Sequence, residues 1–132
     1  MNEEKNNLAI QKLLENFPEF KSSKEWLEDC EQELSYMVYA AFVSFILHRI
    51  KSIQVPEKDN LVIRAYKYLD EMIASGDDYL STLAVVEGVE GLSQDLLSLK
   101  LMKKLFSEAS LVWVDKSLKY TGLVRGLEEI PN

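Results

Sequence analysis

The sequence predicts an all-α fold, a single-domain irregular stack of about six or seven helices. Three observations carry that prediction. Apolar residues recur at intervals of three and four along almost the whole chain, the spacing of one buried helix face. Helix-stop chemistry punctuates it at Pro18, Val55-Pro56, Ser75-Gly76 and Gly122. The best-defined helical hairpin, residues 61–91, has no second copy with matching turn chemistry, which favours a short stack over a repeat solenoid.

The elements follow in order. Leu8, Leu13, Leu14 and Phe17 form a first short helix that ends at Pro18, since proline drives the residue before it out of the helical region. Ser22, with Glu25 three residues on, reads as a capping box opening a second helix with Trp26, Leu27, Cys30 and Leu34 on one side. Tyr36–Ile53 is very apolar, with Met37, Ala40, Ala41, Phe45, Leu47 and Ile50 available to the core. Its aromatic and β-branched residues would also suit a strand, but its length decides for helix, because strands usually stop at about 4–8 residues. Asp59 or Asn60 caps the next helix, whose Leu61, Ala65, Tyr68, Leu69, Met72 and Ile73 make one continuous apolar face. Ser75-Gly76 supplies its stop, and Asp77 or Asp78 caps a helix from Tyr79 to Gly91 that is apolar on most sides and therefore buried. Ser93 is positioned to cap a helix through Leu105, and Ser107 to open a last one carrying Leu111, Val112, Val114 and Leu118. The run Leu111–Val114 is the one place where a strand competes. Residues 1–7 and 123–132 read as loosely held ends of a domain spanning 1–132.

Composition narrows the function. The chain is 132 residues long, 47% hydrophobic and 28% charged, so it can bury a core without disulfides and is not disordered. The polar, acidic start Met1–Asn7 lacks the basic-then-apolar order of a secretory signal, and the apolar run Tyr36–Leu47 is too short to span a bilayer. Cys30 is the lone cysteine, which fits a reducing compartment, so a cytoplasmic protein is expected. The net charge of −7 argues against direct nucleic-acid contact, which needs clustered Lys and Arg. Charge is also uneven: residues 1–34 carry −5 and residues 57–95 carry −6, whereas 35–56 and 96–132 each carry +2. An acidic front favours a basic partner and speeds encounter with it, although acidity also serves solubility alone.

Catalytic chemistry is thin. His48, the single histidine, has no orienting carboxylate or nucleophile near it in sequence and suits the C-terminal end of its helix, where positive charge is favoured. Cys30 lies between Asp29 and Glu31, whose charge raises a thiol pKa and makes it inert. Glu87 and Glu90 sit one helical turn apart, but the Glu-x-x-His pairs of carboxylate metal bundles are missing. No metal, no cofactor and no enzymatic activity is therefore expected. Glu87 can bond a buried backbone group or an arginine such as Arg64, or it can line an acidic groove with Glu90. Asp70, Glu71, Asp77 and Asp78 crowd the hinge, and capping accounts for one hinge aspartate but not for all four. These six acids, Asp70, Glu71, Asp77, Asp78, Glu87 and Glu90, form the candidate partner-binding set. Tyr36, Tyr39 and Tyr66 are candidates for an interface rim, where tyrosine is enriched, against the ordinary core role of aromatics at helical spacing.

Taken together, Asn16-Phe17-Pro18-Glu19-Phe20, the aromatic helix ending Phe45-Ile46-Leu47, and Tyr68–Asp78 followed by a Val-rich, Glu-bearing helix resemble small bacterial immunity proteins. Such proteins are encoded beside polymorphic toxins, including contact-dependent growth inhibition systems, and each binds a cognate toxin domain to silence it. The resemblance covers roughly residues 13–95 and implies a toxin partner; no functional residue carries over from it. A nuclease is the natural toxin, because its substrate cleft is basic. The competing arrangement is a homodimer or other homo-oligomeric module joined through the aromatic helix Tyr36–Leu47.

Overall fold

Backbone hydrogen bonding within segments, rather than between strands, organises this chain. The structure, a computed structural model, describes residues 3–121 and 124–131, and all regular elements among them are helical. In order they are α1 (Glu3–Asn16), α2 (Pro18–Lys21), α3 (Lys24–Leu27), α4 (Ser35–Ser52), α5 (Asn60–Ala74), α6 (Asp78–Leu83), a π-helical segment (Ala84–Val89), α7 (Glu90–Leu92), α8 (Leu96–Leu105) and α9 (Glu108–Thr121). Single 3₁₀ turns cover Pro56–Lys58 and Leu127–Glu129.

Several local signals act as expected. Phe17 leaves the helical region at φ −132°, ψ 69°, and Pro18 starts α2. Asp59 caps α5, accepting from the Val62 N–H at 3.1 Å. Gly76 takes a positive φ of 79°, the left-handed turn that ends a helix, and Asp77 caps α6 by accepting from the Leu80 N–H at 3.0 Å. Leu111–Val114 is helical, within α9.

Other expectations are corrected. The second helix is not continuous over 22–34. Ser23, not Ser22, is the cap, accepting from the Trp26 N–H at 3.2 Å, and α3 stops after one turn at Leu27. Leu27 and Leu34 are exposed rather than packed on one inner side. Ser93 caps nothing: it is buried, and its hydroxyl donates back to the Val89 carbonyl at 2.5 Å, while Asp95 caps α8 by accepting from the Ser98 N–H at 3.1 Å. Met37 and Ala40 face outward, leaving the inner face of α4 to Val38, Tyr39, Phe42, Val43, Ile46 and Ile50. The ends read as loose make specific contacts where described. Asn6 bonds both Glu33 and Ser35, the buried Ile130 accepts from Lys103 Nζ at 2.7 Å, and Asp115 accepts from the Leu127 N–H at 3.0 Å.

The core joins α1, α2, α4 and α5 through aromatics. Phe17 and Phe42 pack with ring centroids 4.7 Å apart, Phe20 meets Phe42 edge-on at 5.5 Å, and Phe17 meets Tyr68 edge-on at 5.3 Å. Each such side chain contributes about 1.5–3 kcal/mol by leaving water. Tyr39 and Tyr66 are fully buried and therefore not interface residues. The Tyr39 hydroxyl donates to the Ala9 carbonyl at 2.9 Å and lies 3.0 Å from the Tyr68 hydroxyl, and Tyr66 donates to the Ser98 carbonyl at 3.1 Å. On the aromatic helix itself, Val38, Tyr39, Ala41, Phe42, Val43 and Ile46 are buried, whereas Tyr36, Met37 and Ala40 stay exposed.

Between α6 and α7 the helix widens into the π segment. Val85 and Val86 are weak helix formers and Gly88 weaker still, so the α ladder is cheap to relax there. The wider turn buries Ala84, Gly88 and Val89, and α7 follows with Gly91 against α4.

Candidate functional site

At one end of the stack the N-terminal turns of α1, α4 and α6 converge. Asn6 of α1 pins the start of α4, accepting from the Ser35 N–H at 2.7 Å and donating to the Glu33 carbonyl at 2.8 Å. Leu34 itself offers no capping oxygen, so this cross-helix amide replaces a local cap. Ser35 Oγ in turn lies 2.6 Å from the Tyr79 hydroxyl of α6. A groove of about 1250 Å³ opens beside these bonds, floored by Ile10, Leu14, Leu34, Tyr36 and Tyr79 and rimmed by Glu3, Glu15 and Glu33 against a single lysine, Lys21. A recess of about 470 Å³ adjoins it, with Tyr36 and Tyr79 again in its wall and Asp78 and Glu87 at its edge. A third depression of about 290 Å³ reaches Asp77, Leu80 and Lys12 around the same Tyr79 ring. One half-buried tyrosine thus sits where three concavities meet.

The six candidate acids divide. Asp70 turns toward α9, accepting from the Ser107 hydroxyl at 2.8 Å and the Ser107 N–H at 3.2 Å, which ties the start of α9 to α5. Asp77 is the cap of α6. Both therefore have structural work. Glu71 is exposed on α5. Asp78 and Glu87 share the tyrosine recess, and Glu90 is near enough to Glu87 to affect its titration. Burial first, and the neighbouring Glu90 charge second, push the Glu87 carboxyl above the usual carboxylate range. Arg64 does not relieve it. That guanidinium bonds Glu19, the Asn60 side-chain oxygen at 2.8 Å and the Asn16 carbonyl at 3.1 Å. Glu87 lines the tyrosine recess, whereas Glu90 does not, so the two do not form the shared groove wall that their spacing offered.

Sequence reasoning missed three participants. Tyr79 follows the hinge aspartates directly, and only tertiary packing makes it the shared wall. Asn6 reaches a helix whose start is 29 positions away. Glu25, read as a capping-box member, is instead buried with its carboxylate 2.5 Å from His48 Nδ1. This supplies the orienting carboxylate that His48 lacks locally. The pair fastens α3 to α4, and among the described residues no hydroxyl or thiol bonds the other ring nitrogen. Burial, followed by the Glu31 charge, raises the Cys30 thiol, in line with the inert role expected of it. No group of three or more His, Cys, Asp and Glu side chains among the described residues is arranged to hold a metal. No helix among them is long and apolar enough to cross a membrane.

Fold and site together define a small all-α domain with an acid-rimmed, aromatic-floored groove where three helix starts meet. The chain belongs to the family described as a domain of unknown function, DUF7674, whose model matches residues 10–122. Comparison with curated proteins and with solved structures gave no match.

Proposed function

We propose that this protein is a non-catalytic binding module that neutralises a basic toxin domain, a nuclease by preference, by covering its active or substrate-binding surface. The observation that carries the reading is the groove at the α1–α4–α6 end. At about 1250 Å³ it is larger than the roughly 300–1,000 Å³ of ordinary small-molecule sites, which suits a segment of another protein. Its apolar floor offers burial, and its rim of Glu3, Glu15 and Glu33 suits a basic partner of a chain carrying −7. The exposed Tyr36 and Leu34 supply the kind of apolar and aromatic anchor that carries interface energy. In this reading the protein acts in the cytoplasm, where Cys30 stays reduced.

Co-expression with the product of the neighbouring gene tests it. A stable complex that suppresses the activity of that product, weakened when Glu15, Glu33 and Tyr36 are replaced by Ala, is the expected result. Undiminished toxin activity at saturating amounts of this protein overturns the reading.

A further inference from the structure

We propose that the recess between Tyr36, Tyr79, Asp78 and Glu87 is a pocket for one arginine side chain projected by the bound partner. The inference rests on the reading of this end of the molecule as the partner-binding face, and it specifies what that face recognises.

The argument begins with the backbone. The π segment Ala84–Val89 buries Ala84, Gly88 and Val89 and leaves Val86 and Glu87 at the recess. Such segments are rare and recur at functional sites. Glu87 is half-buried and Asp78 is exposed, and no hydrogen bond or ion pair among the described residues engages either side chain. A half-buried carboxylate lifted out of its usual range by burial and by Glu90 gains more from an incoming cation than an exposed one does. The walls add a second preference. Tyr36, 52% exposed, and Tyr79 line the recess, and a flat guanidinium stacks on tyrosine rings while donating two parallel hydrogen bonds to a carboxylate. An ammonium does neither as well. The volume, about 470 Å³, accepts one long side chain and water.

Lys5 is the cation already lining this recess. It is exposed and forms no ion pair among the described residues, so it competes with an arriving arginine without filling the site.

The test is a titration of the full chain, followed by amide NMR, with argininamide, lysinamide and the neutral isostere citrullinamide. Argininamide is expected to shift resonances around Tyr36, Tyr79 and Glu87 saturably, with citrullinamide about tenfold weaker or silent. Glu87→Gln and Asp78→Asn, each checked for a native amide spectrum, should each weaken argininamide several-fold, and Lys5→Ala should tighten it. Equal shifts from citrullinamide, or unchanged binding in Glu87→Gln, would overturn the pocket. Equal affinity for lysinamide would overturn its assignment to a guanidinium. No toxin enters this titration, so a chain that binds argininamide but fails to inhibit loses the occlusion reading alone.

Discussion

The Glu25–His48 contact shows how one pair replaces the missing length of a helix. α3 is a single turn, too short to hold itself together in isolation, and the residues after it up to α4 are turns and irregular backbone. What fixes it is Ser23 capping, packing of Trp26 on Phe20 with ring centroids 5.7 Å apart, and the buried Glu25 carboxylate against His48 Nδ1. The Glu25 side chain is 11% exposed, whereas the His48 side chain is 70% exposed, so the two residues are not equivalent. Removing the imidazole strands a buried carboxylate, and His48→Ala is expected to cost about 1–3 kcal/mol of unfolding free energy. Replacing both residues removes donor and acceptor together and should cost less than the sum of Glu25→Ala and His48→Ala in urea melts. Strict additivity would show that the contact contributes nothing.

At the scale of elements, α7 packs tightly against α4 at Gly91. A Cβ built on Gly91 meets Val43 Cγ1 at 2.8 Å, inside any tolerable contact, and Val43 is β-branched and cannot swing away cheaply. Gly91→Ala should therefore lower stability by about 1–3 kcal/mol through overpacking, and adding Val43→Ala should recover part of the loss. Thermal unfolding of the single and double variants decides it, and an undisturbed melting temperature for Gly91→Ala would refute the contact. The same elements show what a sequence reveals about its fold. Capping by Asp59 and Asp77 and the Gly76 stop act over three residues, so they are readable from neighbours alone. Helix α5 declares its inner face because its apolar positions keep strict helical register, although Val62 and Tyr66 join that face unannounced. The failures share a cause. Whether Glu25 caps a helix or meets His48, whether Ser93 or Asp95 starts α8, and whether the hairpin's second helix widens into a π segment are all settled by a partner helix. The candidate site divides similarly. Asp78, Glu87 and Tyr36 stood out by type, whereas Tyr79 and Asn6 acquire their roles from contacts across 44 and 29 positions.

The whole molecule carries −7, and its stability must respond to acid, yet its carboxylates do not pull in one direction. Asp59 is held below its ordinary 3.8, first by the hydrogen bond from Arg49, 2.7 Å away, and also by the Val62 and Leu61 N–H groups it caps. A folded pKa below the unfolded one gives stability that is present above that ordinary value and lost as pH falls through the lowered one. Glu87 has the opposite sign. Its carboxyl lies above the ordinary 4.5 because burial and Glu90 oppose ionisation, so its contribution is fully present below 4.5 and lost as pH rises through the raised value. Acidification from neutrality therefore first relieves Glu87 and only afterwards, below the range of Asp59, removes the Arg49 pairing. Glu87→Gln should raise the melting temperature near neutral pH, with the gain fading by about pH 4, where the wild-type carboxyl is itself protonated. Asp59→Asn, which keeps a capping oxygen, should be less stable than wild type at neutrality and converge with it only in stronger acid. A Glu87→Gln gain that is the same size at both pH values would mean that packing, not ionisation, sets the behaviour of that helix. A gain that fades with acid would mark Glu87 as a carboxylate that the free protein holds at a cost and that a cationic partner would relieve.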